Sequence, residues 1–431
     1  MPRRSPIAGA RLAACSCVTM LLPLLAPPAL AAPGNPAPPS ARDRARERVE
    51  DFDAMWRAID RGYAYFERDD AEWKRARAAW RPRAAQARTR PAFVAALEGA
   101  LASLDDAHVS LSEGTPDSPR RIPAETDIWA RWKDGRAVVE AVRTYSDADV
   151  AGLEPGDVVT RVEGIDVDEA VRRRAGPDAS AERRDRALRA ILAGPRFGTL
   201  RLEVRDGKAA RELAIARANP RGEASPPLLA RRMGESRDIG YLRVRNAGAD
   251  PDLLRDLDAA ITMLRGTRGL IFDLRESTGP ASRAQTAAIL ARFAPAGTPW
   301  QMREPRRGPR ATDLVPAGHR SPPYAGPVVV LVDRWTEGEA EALAAGLHEA
   351  AHARIAGTPA AGLRGELHAV TLPHSGIVVR YPEQRAFLLD GRAREALRPE
   401  IPVDLAAPSG GPGDPILYQA LKAFEGNVGS R

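Results

Sequence analysis

The sequence predicts a multidomain α/β protein: an N-terminal helical domain, a β-rich domain, and a layered α/β core. Three observations carry that prediction. At 431 residues the chain exceeds what one compact core organises, so two or three domains are expected. The apolar pattern changes along the chain, from steps of three and four residues to short alternating runs. Beyond about Ile239, near-continuous apolar runs alternate with helical stretches, the pattern of buried parallel strands connected by helices.

The elements follow in order. Residues 32–41 are rich in Pro and Ala with no periodic apolar face, and read as a linker. In 42–113, Val49, Phe52, Met55, Trp56 and Ile59 fall on one helix face, and Trp73, Trp80, Phe93, Leu97 and Leu101 continue the theme. Trp56, Trp73 and Trp80 read as helical core and not as a ligand cage. The β-rich domain is placed at 125–218, with strands at 137–142, 157–162 and 200–204 and a helix at 181–192. A Pro/Arg linker at 219–227 closes it. The core is placed at 228–425, with strands at 240–244, 269–274 and 327–333. Its helices are expected at 251–265, 282–294, 339–351 and 415–424.

Composition narrows the function. Arg3, Arg4 and Arg11 precede an apolar run from Leu12 to Leu30, and Ala29-Leu30-Ala31 has the small-x-small form of a cleavage site. Residues 1–31 therefore read as a signal peptide, giving an exported protein, periplasmic or extracellular, with no permanent membrane span after removal. Leu12-Ala13-Ala14-Cys15 has the look of a lipoprotein box, but the apolar stretch lies mainly after Cys15 instead of before it. Without the three leader arginines the formal charge falls from +7 to +4. The remaining Arg residues are scattered among Asp and Glu, so no nucleic-acid footprint is expected. Both cysteines, Cys15 and Cys17, lie in the leader, which excludes disulfides, thiol nucleophiles and cysteine metal sites from the mature chain.

Residues 148–167 contain Ala151-Gly152-Leu153 followed by the tight turn Pro155-Gly156-Asp157, then Val158, Val159, Val162 and the turn Glu163-Gly164. This segment resembles the PDZ domains associated with proteases. The resemblance implies a module that adds an extended peptide to a sheet edge, with Gly152, Leu153 and Gly156 as candidate peptide-binding residues. Five further segments carry a second resemblance: Leu104-Asp-Asp-Ala-His-Val-Ser-Leu111, Gly269 to Gly279, Val329 to Glu341, Ile355 to Gly362, and Leu389 to Val403. In this order they are similar to the tail-specific, or C-terminal processing, serine peptidases, most closely the tricorn-like branch. What that implies is a ClpP/crotonase-like layered core, peptide or protein partners, no cofactor, and acyl transfer by a serine at a strand-to-helix turn.

Carried over residue by residue, the resemblance makes His108 the base and Glu395 its orienting carboxylate, and it puts Gly338 at the nucleophile position. Glycine has no side chain with which to attack a carbonyl. The oxyanion donors would be the amides of Gly279 and Glu339, although Pro280 stands where the family prefers glycine and has no N–H. Thr336-Glu-Gly-Glu339 has the form of a capping box, and Glu337 and Glu339 bring negative charge where an oxyanion would form. Thr336, Ser277 and Thr278 are the hydroxyls available in the two loops as displaced nucleophiles, and Trp335 lies beside the turn. Three functions remain open: a serine-type peptidase, a non-catalytic peptide-binding adaptor, and a zinc hydrolase. The last rests on His348-Glu349-Ala-Ala-His352, an HExxH pattern that on a helix sets two imidazoles on one face, with Glu366, His368 and His374 downstream.

Overall fold

The apolar runs of the C-terminal half build the sheet that positions everything else. In this computed structural model residues 40–66, 71–207, 209–217, 226–245, 251–279, 282–319, 321–407 and 413–425 are described. The expected signal peptide with its two cysteines, nearly all of the linker at 32–41, and Pro280 lie outside those residues.

The chain runs α1 (Ala41–Gly62), α2 (Ala71–Gln86), α3 (Arg90–Leu101) and β1 (Ser110–Leu111). Then follow β2 (Ile128–Lys133), β3 (Arg136–Val142), α4 (Asp147–Val150), β4 (Val158–Val162), β5 (Ile165–Asp166), α5 (Val167–Ala175), α6 (Ala181–Ala193), β6 (Thr199–Arg205) and β7 (Ala210–Ala216). The core comprises β8 (Leu228–Met233), β9 (Ile239–Val244), α7 (Leu253–Leu264), β10 (Gly269–Asp273), α8 (Arg283–Leu290), β11 (Pro299–Pro305), β12 (Ala311–Leu314), β13 (Val328–Val332), α9 (Glu339–Ala351), β14 (Arg354–Gly357), β15 (Glu366–Thr371), β16 (Val378–Phe387), β17 (Ile401–Pro402) and α10 (Pro415–Glu425).

The central sheet has the order β17-β14-β13-β10-β9-β8, parallel except for β8. Strands β10 and β13 are buried along their whole length, which is why they read as unbroken apolar runs. Helices α7, α8 and α9 cover one face in a core around Leu257, Phe272, Leu290, Trp300, Val330 and Leu347, and α10 packs on the other through Ile416, Ala420 and Phe424. The β-rich module has its own sheet, β2-β3-β4-β6-β7, and its own core. Among the described residues no helix is long and apolar enough to cross a membrane.

The helical part does not stand apart from the C-terminal α/β core. β1 pairs antiparallel with β16, Ser110 opposite Arg380, and Leu372, Ile377, Val379 and Tyr381 bury into the same cluster as Phe52, Trp73 and Leu97. The first and last thirds of the sequence thus share one hydrophobic core. The expected tryptophan core is present: Trp73 is buried and stacks on Trp56, with Trp80 packed against the cluster.

Candidate active site

The turn from β13 into α9 is where a side chain can be held above the sheet. Asp333 ties that turn: its Oδ1 accepts from the amides of Glu276 and Trp335 and from the Thr336 hydroxyl. Thr336 is fully buried; its one hydroxyl proton is shared between Asp333 Oδ1 and the Leu274 carbonyl and its oxygen accepts from the Asp333 amide, so the hydroxyl clamps the turn and cannot serve as a displaced nucleophile. Gly338 follows with φ 59° and ψ −118°, a left-handed conformation that only glycine adopts without strain. It is the N-cap of α9. The helix begins one residue later, and the carboxylate that reaches back to cap it is Glu341, whose Oε2 accepts from the Gly338 amide at 3.2 Å.

The capping box expected from Thr336 and Glu339 does not form: Thr336 is consumed by the turn, and only the half in which a carboxylate accepts from the N-cap amide is present, two residues on, between Glu341 and Gly338. Glu341 is buried and also accepts from the amides of Gly362 and Leu363, and burial lifts its carboxyl to about 7. Glu339 turns toward Thr286, which donates to it, and burial lifts it to about 7 as well. Glu337 is also raised to about 7 by burial and feels Arg121 and Arg143, the side of the β-rich module.

His108 is held opposite this turn. It follows Asp105 in a left-handed turn after α3, and its amide donates to Asp106 Oδ1. Asp106 Oδ2 accepts from the Tyr63 hydroxyl, so α1 and the turn are fixed together. The His108 ring is buried, and burial lowers its pKa, which leaves it neutral at neutral pH. Its Nδ1 lies 2.6 Å from the Arg364 carbonyl, and a carbonyl can only accept, so Nδ1 carries the proton and Nε2 keeps its lone pair. A Cβ built on Gly338 would stand 4.0 Å from that Nε2 and 3.9 Å from the Thr278 carbonyl oxygen, with no other described neighbour inside 4 Å. The structure thus brings His108 and Gly338 together, with a lone pair on Nε2 directed to a residue that carries no hydroxyl.

Glu395 is not brought to His108. Its Oε1 accepts from the Tyr65 hydroxyl and its Oε2 has no hydrogen-bond partner. The Arg364 backbone carbonyl does the orienting that the sequence assigned to this carboxylate. The neighbouring Arg394 is the buried residue here, bonded to Glu366 and to the Gly365 carbonyl. Neither Arg364 nor Arg394 announces itself in the sequence, since one acts through its backbone and the other through distant partners. Glu341 had a signal that was available: it is three residues past the N-cap glycine.

The expected oxyanion donor Gly279 is also changed. Its amide donates to Ser277 Oγ at 3.0 Å, so both that donor and that hydroxyl are engaged with each other. A side chain at 279 is impossible, because a Cβ would come within 2.3 Å of the Ala340 nitrogen. The Glu339 amide opens α9 and has no acceptor within the helix.

The zinc arrangement does not form. α9 ends at Ala351, and His352 is its C-cap in the left-handed region, so the two imidazoles do not share a helix face. His348 Nδ1 is bonded to the Ala353 carbonyl. Among the described residues no three His, Cys, Asp or Glu side chains converge as a metal site. Glu366, His368 and His374 point elsewhere: to Arg394, Glu383 and Glu50.

In the β-rich module, Leu153 is buried in the core and offers nothing to a ligand. The Gly152 carbonyl accepts from Arg211, and the Gly156 amide donates to the Val139 carbonyl. The edge strand β2 lies under α6: the Trp132 amide donates to Asp185 and Arg184 stacks on the Trp132 ring. The module is docked on the turn between β13 and α9. Trp335 packs with Trp129 and Ala141 and donates from Nε1 to the Thr126 carbonyl, and Arg334 pairs with Glu140.

Residues 238–403 match the profile described as Peptidase family S41, and residues 44–102 match the Tricorn protease C1 domain. No curated protein matches the chain. Among solved structures, the photosystem II D1 C-terminal processing protease is similar at 21% identity, over 83% of this chain and 93% of its own, with a TM-score of 0.50. Mature CPAF is similar at 16% identity, over 90% of this chain and 99% of its own, with a TM-score of 0.55. At such identities the structural likeness shows the fold alone.

Proposed function

Because the chain belongs to the S41 family of tail-specific peptidases, we propose that it engages peptide or protein chains in the family's cleft but does not cleave them by serine acyl transfer. One observation carries the reading: a neutral, correctly protonated His108 faces residue 338, where only a hydrogen stands. The rest of the site supports it. The Thr336 and Ser277 hydroxyls are committed to the two turns, and the Gly279 amide is bonded to Ser277. Export directed by residues 1–31 would place the protein in the periplasm or outside the cell. The PDZ-like module at 125–218 would select extended segments, with strand addition at β2 requiring Asp185 to release the Trp132 amide.

The test is a side-by-side peptidase assay of wild type and Gly338→Ser on casein and labelled peptides, with peptide binding measured on both. The expected result is binding without turnover in wild type and phosphonate-sensitive turnover in the variant. Wild-type turnover equal to that of the variant, and blocked by a serine-directed phosphonate, would overturn the reading.

A further inference from the structure

His108 Nε2 carries a lone pair that no donor among the described residues meets. Its partner nitrogen Nδ1 gives its proton to the Arg364 carbonyl, so Nε2 can only accept. Although the residue as a whole is buried, Nε2 is not one of the side-chain nitrogens closed off from solvent. The point where a Cβ on Gly338 would stand lies 4.0 Å from Nε2 and 3.9 Å from the Thr278 carbonyl oxygen. Outside residues 337–339, no other described atom comes within 4 Å of that point, and Gly338 itself is only half-buried. Both atoms that face this space accept hydrogen bonds. A water molecule has two protons to give and keeps its oxygen lone pairs for a further partner. At the same turn the Glu339 amide opens α9 with no acceptor within the helix.

We propose that the chain as it stands is an esterase in which a water molecule, held beside Gly338 by His108 Nε2, attacks an ester carbonyl directly and no covalent enzyme intermediate forms. In the first step the bond from the water oxygen to the carbonyl carbon forms while Nε2 takes a water proton. The carbonyl oxygen becomes an oxyanion, for which the Glu339 amide is the donor left at this turn. In the second step the bond from carbon to the alcohol oxygen breaks, and the proton passes from Nε2 to that oxygen. The products are a carboxylic acid and an alcohol, and His108 is neutral again. Burial keeps the ring in the neutral state that a base requires. Esters are the substrates, and not peptides, because an ester carbonyl is the more electrophilic and the Gly279 amide is engaged by Ser277. The proposal rests on the reading that residue 338 supplies no nucleophile, and it does not depend on peptide engagement in the cleft.

Hydrolysis of p-nitrophenyl acetate and butyrate by the full chain at neutral pH tests this. Wild-type turnover is expected to be linear from the first cycle, with no burst of p-nitrophenol, slower in D2O, and indifferent to a serine-directed phosphonate. His108→Ala is expected to lower the rate by roughly 10²-fold, and Gly338→Ala, whose methyl group takes the space of the water, by at least about tenfold. Gly338→Ser places the same strain on the backbone and controls for the fold: it is expected to show a burst and phosphonate sensitivity. No hydrolysis above the buffer rate, an unchanged rate in His108→Ala or in Gly338→Ala, or inhibition of wild type by the phosphonate would overturn the proposal. The last of these would also overturn the absence of a serine nucleophile, whereas the others leave that reading standing.

Discussion

The Nε2 atom of His108 lies 4.0 Å from the point where a Cβ on Gly338 would stand, and glycine leaves that point empty. The backbone at 338 retains the positive φ of a sharp strand-to-helix turn, a geometry that aims a side chain away from the sheet.

Serine at 338 meets no steric obstacle, since its nearest described neighbours are 3.9 and 4.0 Å from the Cβ. The cost is backbone strain. Gly338→Ser is therefore expected to lose about 1–3 kcal/mol of stability, measured by urea denaturation, while gaining covalent labelling by a fluorophosphonate. Adding His108→Ala should slow that labelling by roughly 10²-fold or more. Labelling that ignores His108 would mean the base is not poised as the hydrogen bond to Arg364 implies.

Releasing the Gly279 amide should help the restored enzyme. In Gly338→Ser, the further change Ser277→Ala removes the hydroxyl that accepts from that amide. One oxyanion donor is worth about 10²–10³-fold, so a gain of at least roughly tenfold in labelling rate is expected over Gly338→Ser alone. An unchanged rate would place the Gly279 amide outside the oxyanion path.

Buried Glu341 makes stability fall as pH rises. Its folded pKa of about 7 lies above the unfolded value near 4.5, so the folded state holds a proton that the unfolded state gives up between those values. Stability from this group is greatest below pH 4.5 and declines through pH 7, by about 3 kcal/mol. Glu341→Gln should flatten the slope of unfolding free energy against pH by up to one proton across that window, read by denaturation at several pH values. An identical slope in the two proteins would show that Glu341 is ionised throughout.

Trp335 couples the 333–338 turn to the β-rich module. It is buried against Trp129 and bonded to Thr126, so Trp335→Ala should cost about 3–5 kcal/mol. Hydrogen exchange should quicken in both the 333–338 turn and β2–β3. Exchange confined to the turn would show that the module is held by other contacts.

The sequence alone determined the elements whose signal is local. The burial of β10 and β13 is written in their apolar runs, and α9 begins and ends where the pattern between Gly338 and His352 places it. Residue 338 is a glycine on inspection, and its position after a buried strand and before a helix marks it as the turn. β16 was not legible, because Pro382 and its charged residues mask a strand that pairs on both sides. Nor were the partners that decide the chemistry. The carbonyl that orients His108 belongs to residue 364, the carboxylate that caps Gly338 also holds 362 and 363, and Glu395 turns to Tyr65. Periodicity reports which face of an element is buried. Which distant backbone atom meets a given imidazole is decided by β1 pairing with β16 across some 270 residues, and only the packed chain fixes that.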